Sequence, residues 1–544
     1  MCGILCLVQY SGNSIDLEKA KESLDKLNPR GPDKQMYRII NINGNIDIFM
    51  GFTRLAIMDI SDAGLQPFND NDNNYIICNG EIYNYKQLAK QYHINMRTNC
   101  DCEILLPLYK KIGFEYMVRD ELDAEFAMVI LDKQNNKIHV ARDRYGVRPL
   151  YYGFNYSSKI IGFASELKSL HPIMDFVEQV KPNYLFDIDL KKNDDDISSL
   201  IIKNEYFSYQ NLFANIKLDN TDYIHEQINY YLTEAVRKRL HADRPIGFLL
   251  SGGLDSSLIV AIATRILGPN NIVCFSIGID GSPDLEASKK VVKYLGIKNH
   301  HIIHFNTDEG LAILPNIIDA IETYDITTIR ASTPQFMMAK YISNHTDIKV
   351  LLSGEGSDEI HGSYRYFRDA PNMLQFHWET IRLLEELCYF DNQRTDRSMA
   401  CNGLEVRIPF LDFEYVEFIT RINPKLLMYR KDYMEKQIVR DSFKGYLPDE
   451  ILYRSKEAFS DAVSSNDINW AKTIQMSAEN QISEEEMMNN KFIINKPKTK
   501  DALYFRKIFD QIYPSRDNII PYYWLPRFQK DEILDPSARI LKCY

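Results

Sequence analysis

The stretch that most constrains this 544-residue chain is 248–257, which reads Phe-Leu-Leu-Ser-Gly-Gly-Leu-Asp-Ser-Ser. An apolar run that ends in a glycine pair and continues into the amphipathic segment 258–267 predicts a strand, a tight turn and a helix. Such a turn presents backbone N–H groups at a helix N-terminus, which suits a polyanion such as a nucleotide phosphate. Because Asp255 would repel bare phosphate, the loop also predicts a Mg²⁺ ion between carboxylate and phosphate. A plain glycine turn before a helix is the alternative interpretation.

Size and composition narrow the class of protein. At 544 residues the chain is too long for one ordinary core, and we expect two domains. Hydrophobic residues make up 45% and charged residues 26%, so a large core can be buried. The net charge of −11 argues against a general nucleic-acid or acidic-membrane surface, because both require basic patches. We therefore expect small-molecule partners, each held in a local site.

The sequence shows no sign of export or of a disulfide framework. No apolar run reaches membrane-spanning length, and the start lacks the basic and apolar regions of a signal peptide. The nine cysteines are odd in number and scattered, which is untypical of a disulfide scaffold. These features predict a cytoplasmic protein with no membrane partner. The oligomeric state stays open, with a homodimer as one option.

The first part of the chain, to about residue 165, alternates short β-rich runs with helical ones, which predicts a mixed α and β sandwich. The predicted strands are 4–8, 46–57, 75–78, 126–131, 138–141 and 160–164, and the predicted helices are 17–27, 85–91 and 101–112. From 187 to 204 the sequence is polar and acidic, which indicates a linker or a hairpin tip. The predicted domains are therefore 2–205 and 206–544.

The chain begins Met-Cys-Gly-Ile, and removal of Met1 would leave Cys2 at the N-terminus. A thiol beside its own α-amino group has a built-in general base, because that amine titrates near neutrality. One residue would then supply both nucleophile and base. The alternative is that Cys2 is a small buried residue at the start of a strand.

Further segments of the first half form a specific set. They are 51–59, which contains Gly-Phe-Thr-Arg-Leu, 78–84, which contains Cys-Asn-Gly-Glu, the Asp-Cys-Glu of 101–103, and 142–152, which contains Arg-Asp-Arg-Tyr-Gly-Val-Arg-Pro. Together they resemble the glutaminase domain of the class II, N-terminal-nucleophile amidotransferases. The resemblance runs from residue 2 to about residue 190 and implies an αββα sandwich.

The resemblance implies a role for each matching residue. Cys2 would attack the carboxamide of glutamine, and the side-chain amide of Asn79 with the backbone N–H of Gly80 would form the oxyanion hole. Arg54 would pair with the glutamine α-carboxylate, since a planar guanidinium suits a carboxylate. Asp101 would hold the α-ammonium group, with Glu81 at the same end. The implied glutamine-binding set is Arg54, Asn79, Gly80, Glu81 and Asp101. Without the family, Asn79-Gly80 is a turn and Arg54 a surface charge.

The second half repeats a strand and helix pattern. Its predicted elements are 246–250, 258–267, 272–279, 285–295, 301–305, 311–322, 334–343 and 350–352. This alternation predicts an open parallel sheet flanked by helices, with ligands at the carboxyl ends of the strands. The pair Thr333-Pro334 is typical of a helix cap followed by proline at the first helical position.

A second acidic loop, Ser-Gly-Glu-Gly-Ser-Asp-Glu at 353–359, follows the last of these strands. It places Glu355, Asp358 and Glu359 close together, which is repulsive near a triphosphate unless they bind metal or one acts as a base. A solvated acidic turn is the alternative interpretation.

These loops also resemble a known family. Residues 251–257 are similar to the PP-loop of AMP-forming ATP pyrophosphatases. The segments 278–284, 329–334, 353–359, 403–412 and 454–461 resemble the glutamine-hydrolysing asparagine synthetases, and 497–500 and 535–539 resemble the tail of the eukaryotic-type enzymes. The resemblance spans nearly the whole chain.

What this resemblance implies is an ATP site. The implied ATP-binding residues are Leu249, Ser251, Gly252, Gly253, Asp255, Ser256, Ser257, Ile277, Ser353, Gly354 and Lys456. Asp255 and Asp358 would bind Mg²⁺, Glu355 would act in the formation or breakdown of an acyl-adenylate, and Lys456 would stabilise phosphate charge. Without the family, the apolar members are core positions and Lys456 is a surface charge.

The implied activity is ATP-dependent synthesis of asparagine from aspartate and glutamine, through β-aspartyl-AMP. Since ammonia released into water would be protonated, a shielded passage between the domains is implied. Three rivals remain. They are a related ligase such as a β-lactam synthetase, a phosphoribosyl or sugar-phosphate amidotransferase that shares only the first domain, and a non-catalytic protein on the same scaffold. The glutamine-binding set disfavours the first rival and the loop 251–257 the second, while intact chemical side chains disfavour the third.

Overall fold

The chain divides into two compact units. We describe them from a computed structural model, which covers residues 1–10, 14–192, 194–213, 218–431, 433–455, 463–464, 468–528 and 534–536. The first unit is Met1–Ser208 together with Ala400–Glu405, and the second is Tyr209–Met399 with Val406–Tyr544.

The first unit contains two six-stranded sheets. Its strands are β1 Gly3–Gln9, β2 Lys34–Ile42, β3 Ile46–Arg54, β4 Phe68–Asn69, β5 Tyr75–Ile82, β6 Ala124–Asp132, β7 Lys137–Arg142, β8 Tyr151–Asn155, β9 Ile160–Ala164, β10 Phe176–Gln179, β11 Tyr184–Asp189 and β12 Ile201–Glu205. Its helices are α1 Leu17–Asp25, α2 Tyr85–Gln91, α3 Leu105–Ile112, α4 Phe114–Tyr116 and α5 Leu167–Leu170. The sheet orders are β10-β8-β9-β1-β3-β2 and β12-β11-β7-β6-β5-β4.

The two sheets share one core. Ile4, Cys6 and Val8 of β1 pack in a single buried cluster with residues of the second sheet, such as those of β6 and β7. Because side chains alternate along a strand, Leu5 and Leu7 point to the opposite face, where they are also buried. Helix α1 packs against β1 and β3, α5 packs against β9, and α3 packs against β5 of the other sheet. The layers are therefore α, β, β, α, and the predicted sandwich is confirmed.

In the first unit, the end of one strand and the structure of one polar segment go beyond what the local sequence pattern predicts. β5 continues from the predicted end at Cys78 to Ile82, so Asn79 and Gly80 lie inside a strand paired with β6 rather than in a turn. The polar segment 187–204 belongs to an antiparallel hairpin, in which β11 pairs with β12 from Tyr184↔Glu205 to Ile188↔Ile201. Of the two predicted alternatives for that segment, the hairpin is the one observed.

The second unit is built around a five-stranded sheet. Its strands are β13 Ile246–Leu249, β14 Val273–Gly278, β15 Asn299–His304, β16 Val350–Leu352 and β17 Glu405–Arg407, in the order β15-β14-β13-β16-β17. The helices of the later chain are α6 Tyr209–Phe213, α7 Thr221–Arg239, α8 Leu254–Leu267, α9 Pro283–Leu295, α10 Thr307–Ala312, α11 Leu314–Ile321, α12 Ile326–His345, α13 Ser357–His361, α14 Met373–Glu386, α15 Asp391–Ala400, α16 Phe413–Thr420, α17 Gln437–Ser442, α18 Asp449–Leu452, α19 Trp470–Gln481, α20 Glu484–Met488 and α21 Lys500–Ile512.

The strand order explains where a ligand site forms in this sheet. β13 pairs in parallel with β14 on one side and with β16 on the other, and β14 pairs in parallel with β15. The connections after β13 and after β16 therefore diverge to opposite sides of β13, which opens a crevice at the carboxyl ends of these strands. The predicted parallel sheet flanked by helices is confirmed.

The predicted helix start at Thr333-Pro334 is wrong. Helix α12 begins at Ile326, where the carboxylate of Asp325 accepts a hydrogen bond from the N–H of Thr328, and it runs through Pro334 to His345. Proline lacks an N–H, so the carbonyl of Arg330, four residues earlier, loses its helical donor. The indole Nε1–H of Trp470 donates to that carbonyl at 2.9 Å instead. A long-range donor thus compensates for a proline that local sequence rules place at a helix start.

Among the described residues, none of the helices combines the length and apolar character needed to cross a membrane.

Candidate functional site

The start of β1 places Cys2 at the edge of the first unit's core. β1 pairs with β3 with Gly3 opposite Thr53, so Cys2 is level with Arg54, the last residue of β3. The Cys2 thiol points at the carbonyl of Leu55, with 3.7 Å between sulfur and oxygen. Its own carbonyl accepts a 2.9 Å hydrogen bond from Nε of the fully buried Arg30. These contacts fix the backbone around the thiol.

Burial controls the protonation of both groups at this end of the chain. Burial raises the pKa of the Cys2 thiol to about 11, against a smaller lowering by the nearby N-terminal ammonium. It lowers the pKa of the Met1 amine to about 6, with the charge of Glu405 opposing this shift. The raised pKa favours the protonated form of the Cys2 thiol at neutral pH, and the lowered pKa favours the neutral form of the Met1 amine.

Asn79 supplies a hydrogen-bond donor without a partner. Its side chain is 1% exposed, and among the described residues its Nδ2 has no acceptor. An orphaned buried donor costs free energy unless a ligand satisfies it, so its persistence at the edge of a thiol site points to a bound oxygen. Gly80 follows, and a Cβ there would lie 2.5 Å from the carbonyl oxygen of Glu125, so only glycine fits.

Asp101 is pinned to the same strand. Its Oδ2 accepts a 2.7 Å hydrogen bond from the N–H of Ile82, and the thiol of Cys102 contacts the carbonyl of Gly80 at 3.5 Å. Asp101 and Glu81 are both buried, at 3% and 6% exposed. The structure therefore brings together three of the predicted glutamine-binding positions and Asp101 at the end of β5.

Arg54 is held by backbone carbonyls in a loop that follows its strand. Its guanidinium donates to the carbonyls of Met58, at 3.3 Å, Asp59 and Ser61. Gly64 makes room for it, because a Cβ at this position would collide with a guanidinium nitrogen. The guanidinium carries five N–H donors, so these contacts leave capacity for a carboxylate. Arg54 also lowers the pKa of Cys2 slightly, which shows that the two residues are close.

In the second unit, the loop after β13 has the geometry of an anion site. Gly252 adopts φ +80°, and a Cβ there would lie 2.6 Å from the N–H nitrogen of Ser288. The Ser251 and Ser256 hydroxyls lie 2.9 Å apart, and Oγ of Ser251 accepts a hydrogen bond from the N–H of Gly253 at 3.2 Å. Helix α8 starts directly after Gly253, so its free N–H groups and its dipole face the loop.

The loop after β16 packs onto this turn. A Cβ on Gly354 would lie 2.7 Å from the backbone nitrogen of Ser256, so a side chain there would separate the two loops. Asp255 and Asp358 converge on one cation, the ammonium group of Lys436. Its Nζ lies 2.7 Å from both carboxylate oxygens of Asp255 and 2.6 Å from Oδ1 of Asp358. The predicted metal carboxylates are thus brought together around a positive charge.

Glu355 lies in the same cavity and has its own cation. Oε2 of Glu355 accepts from Nη2 of Arg394 at 2.5 Å, and Oε1 accepts from Nε2 of Gln335 at 3.2 Å. Burial raises the pKa of Glu355, opposed by the charge of Arg394. Burial also raises the pKa of Glu359 well above its ordinary value, and its carboxyl accepts from the Tyr364 hydroxyl at 2.5 Å. Cations therefore offset part of the charge of the acidic loop, and burial favours the protonated form of Glu359.

The cavity that these loops surround measures about 230 Å³. Of the predicted ATP-binding residues, its wall includes Leu249, Ser251, Gly253, Asp255, Ser256, Ile277, Ser353 and Gly354. Gly252 lies behind the wall and offers its carbonyl to Arg454 at 3.1 Å, while Ser257 is fully buried in α8. Lys456 lies outside the described residues.

Sequence reasoning assigned no role to several polar wall residues, namely Gln335, Arg394, Lys436 and Arg454, although Arg454 begins the segment 454–461 that resembles the family. None of them belongs to a glycine-rich motif, and they come from four separate parts of the chain. Lys436 has φ +55°, which is uncommon for a residue other than glycine and is often found at functional positions. The sequence around it carries no glycine or asparagine that would indicate this backbone, so the signal exists only in the structure.

Among the described residues, no cluster of three or more His, Cys, Asp or Glu side chains is arranged as a metal site. Asp255 and Asp358 still fit a divalent cation, because they already enclose a positive charge. Mg²⁺ commonly uses only one or two carboxylates and takes its other ligands from phosphate and water.

Comparisons with known proteins match the two parts of the chain to two different domain models. A model of the glutamine amidotransferase domain matches residues 1–203, and a model of asparagine synthase matches residues 227–381 and 371–525. The chain is 62% identical to a protein of Acanthamoeba polyphaga mimivirus named "Probable asparagine synthetase (glutamine-hydrolyzing)", over 99% of this chain and 100% of the relative. It is 39% identical to the asparagine synthetase (glutamine-hydrolyzing) of Cricetulus griseus and 38% identical to that of Homo sapiens, each over 100% of this chain and 99% of the relative.

Fold and family matches define a two-domain amidotransferase, in which an N-terminal sandwich with a thiol at its edge precedes a parallel-sheet domain with a glycine-containing loop at 251–257. These matches cover both units and nearly the full length of the chain. The chain belongs to the asparagine synthase family.

Proposed function

We propose that the protein converts ATP, aspartate, glutamine and water to AMP, diphosphate, asparagine and glutamate. The observation that carries the proposal is the loop 251–257 of the second unit, which we call the phosphate loop. Asp255 of this loop and Asp358 meet at the ammonium group of Lys436, beside the N-terminus of α8. Such a site suits a nucleotide triphosphate and its leaving diphosphate. The glutaminase-type site of the first unit would supply the nitrogen. We assign the two activities to residues 2–205 and 206–544.

In the first unit, we assign the nucleophile to Cys2 after removal of Met1. With Met1 in place, the nitrogen of Cys2 is an amide and cannot accept a proton, and the thiol pKa of about 11 leaves little thiolate at pH 7. The freed α-amine would supply the missing base. The thiolate adds to the carboxamide carbon, the amide of Asn79 and the N–H of Gly80 stabilise the oxyanion, and ammonia leaves. Water then hydrolyses the thioester to glutamate.

Glutamine would be held at the edges of this site. Arg54 would pair with its α-carboxylate, while the buried carboxylates of Glu81 and Asp101 would take its α-ammonium group. The set suits a zwitterion, because it offers one cation for the carboxylate and two anions for the ammonium group.

In the second unit, residues around the cavity would bind ATP and the acceptor acid and position them for reaction. The β-carboxylate of aspartate attacks the α-phosphorus, a P–O bond to diphosphate breaks, and ammonia later displaces AMP from the acyl carbon.

Ser251, Gly253 and Ser256 would bind the leaving diphosphate, and Lys436 would offset its charge. Mg²⁺, held by Asp255 and Asp358, would neutralise phosphate charge when bound. Leu249 and Ile277 supply apolar wall suited to the adenine. We assign the acyl-adenylate chemistry to Glu355, and we propose Lys456 as a further phosphate ligand.

No observation favours the β-lactam synthetase alternative. An amidotransferase that shares only the first domain would not match the asparagine synthase model, whereas this chain does. We further propose a cytoplasmic location, which suits the free thiols of all eight described cysteines. A homodimer remains a prediction.

The test is to incubate the purified protein with ATP, Mg²⁺, glutamine and one candidate acceptor at a time. We expect diphosphate release that depends on aspartate, with asparagine and AMP formed in equal amounts. Ammonium chloride in place of glutamine should support the same reaction. Diphosphate release that is indifferent to aspartate would refute the proposed acceptor.

A further inference from the structure

Part of the cavity wall comes from the end of the chain. Trp524 and Pro536 line the cavity together with residues of α12 and of the two loops. Pro536 belongs to the Asp-Pro pair at 535–536, and neither residue has a role in the proposed reaction.

Asp535 anchors the segment with both of its carboxylate oxygens. Oδ1 accepts from Nη1 of Arg330 at 3.0 Å, and Oδ2 accepts from Nε2 of Gln475 at 2.8 Å. The preceding residue is held as well, because the carbonyl of Leu534 accepts from the Tyr523 hydroxyl at 3.0 Å. The contacts come from three separate parts of the second unit, so residues 534 and 535, which precede Pro536, are held from several directions.

Arg330 is a buried anchor for this contact. It is 2% exposed, and its Nη2 also donates to the buried Oδ2 of Asp501 at 2.6 Å. Its backbone carbonyl is the one that Trp470 satisfies in place of Pro334. A buried guanidinium with two carboxylates is sensitive to loss of either one, since charge would be left poorly compensated in a region of low dielectric.

The anchor acts on one side of the cavity. Arg330 lies on α12 next to Ala331, which is part of the wall, and about 1.4 turns before Gln335, which donates to Glu355. The phosphate loop is held by other contacts, such as those of Ser251 with Ser256 and of Arg454 with Gly252. Because Asp535 is bonded to the helix that carries Gln335, a change at Asp535 should reach the acidic end of the cavity before the nucleotide end.

We propose that Asp535 is a positioning residue for the acceptor. Its ion pair with Arg330 and its contact with Gln475 hold Pro536 in the wall and fix the turn of α12 that precedes Gln335. The proposal rests on the proposed function, because the acceptor in question is the amino acid dicarboxylate that becomes activated at Glu355.

An intact wall would also protect the activated acid. Water that reached the acyl-adenylate would add to the acyl carbon and break its bond to AMP, which yields aspartate, AMP and a proton without asparagine. Pro536 and Trp524 offer no side chain that would hold water at this position except the indole N–H. If the segment loosens, we expect more diphosphate to be formed for each asparagine made.

The experiment compares Asp535→Ala with Asp535→Glu and Gln475→Ala in the full chain. For Asp535→Ala we expect KM for aspartate to rise roughly tenfold and the ratio of diphosphate to asparagine to rise above one, while KM for ATP changes by less than about twofold. Asp535→Glu should restore part of both quantities, and Gln475→Ala should shift them in the same direction by less. Glutamine hydrolysis should be unchanged in all three.

The matched control is Glu479→Ala, which removes an ion-paired carboxylate that is 61% exposed, on the same helix as Gln475. It should leave both readouts at their original values. An Asp535→Ala protein with the original KM for aspartate and a ratio of one would overturn the inference. If Asp535→Ala fails to fold, the same outcome for Gln475→Ala decides against it. If the unaltered protein releases no diphosphate in response to aspartate, it is the proposed function that fails.

Discussion

The two candidate sites differ in how they treat charge. The first unit holds a half-buried thiol with a raised pKa and leaves the amide donor of Asn79 without an acceptor among the described residues. The second unit lines its cavity with ion pairs, in which Lys436 meets Asp255 and Asp358 while Arg394 meets Glu355. The site of the first unit has little formal charge at its reacting atom, whereas the cavity of the second unit contains several charged groups.

The difference follows from the substrates. A carboxamide is neutral, so the first site needs a base for the thiol and donors for an oxygen that becomes negative only in the transition state. ATP and its leaving diphosphate are highly charged from the start, and the second site must hold cations before they arrive. Buried cations are costly without partners, so the carboxylates of this site pair with them. Substitutions should therefore separate the two sites cleanly.

Lys436→Met should have the largest effect. The two carboxylates would lose their shared cation and diphosphate would lose a counter-charge, so synthesis from either glutamine or ammonia should fall by about 10³-fold. Glutamine hydrolysis should stay near its original rate, measured as glutamate formed without ATP. Lys290→Met, at an ion-paired residue that is 53% exposed, serves as the control. Equal losses in both activities would contradict the separation.

Asn79→Ala should be next in size and should affect the opposite site. Removal of one oxyanion donor should lower the kcat of glutamine hydrolysis by about 10²-fold, because the lost interaction forms only in the transition state. Synthesis from ammonium chloride should be unaffected. The control is Asn41→Ala, in an exposed hairpin of the same unit where the side chain bonds to Asp47. A hydrolysis rate equal to that of the control would remove Asn79 from the oxyanion hole.

The smallest effect concerns stability in acid. His361 is 1% exposed and its Nε2 lies 3.0 Å from the Tyr415 hydroxyl. Burial lowers the pKa of His361 from 6.5 to about 4. In the unfolded chain this histidine becomes protonated below pH 6.5, whereas in the folded chain it stays neutral down to about pH 4. The free energy of unfolding should therefore fall as the pH drops through this window.

His361→Gln should weaken that dependence by on the order of 1 kcal/mol between pH 7 and pH 5. Urea unfolding at the two pH values measures it, and His345→Gln, at an exposed histidine on α12, is the control. The same loss of stability in both variants would show that His361 does not carry the effect.

Much of the fold follows from local patterns. The strand and helix alternation after residue 245 indicates a parallel sheet because its apolar runs are short and its loops carry glycine, and the observed strand order places the ligand crevice at the predicted loops. In the first unit, alternation alone did not show that β5 continues through Asn79 and Gly80, because Asn-Gly is also a common turn signal. Pairing with β6 overrides that local preference.

The candidate site was predictable only where residues belong to loops with a recognisable pattern. Asp255, Glu355 and Asp358 lie in two such loops, and the structure brings them together. Lys436 reaches them from a distant segment with a left-handed backbone, and Arg394 reaches them from α15. Long-range contacts of this kind leave no periodic or glycine signal in the chain. The same is true of Trp470, whose indole makes proline tolerable inside α12.

The central claim is that one chain joins a thiol that releases ammonia to a separate site that activates aspartate. The most direct measurement is asparagine formation by Cys2→Ala with glutamine and, in parallel, with ammonium chloride. We predict that synthesis from glutamine is abolished while synthesis from ammonia keeps its original rate. A Cys2→Ala protein that still uses glutamine, or one that has lost both activities while folded, would contradict the account.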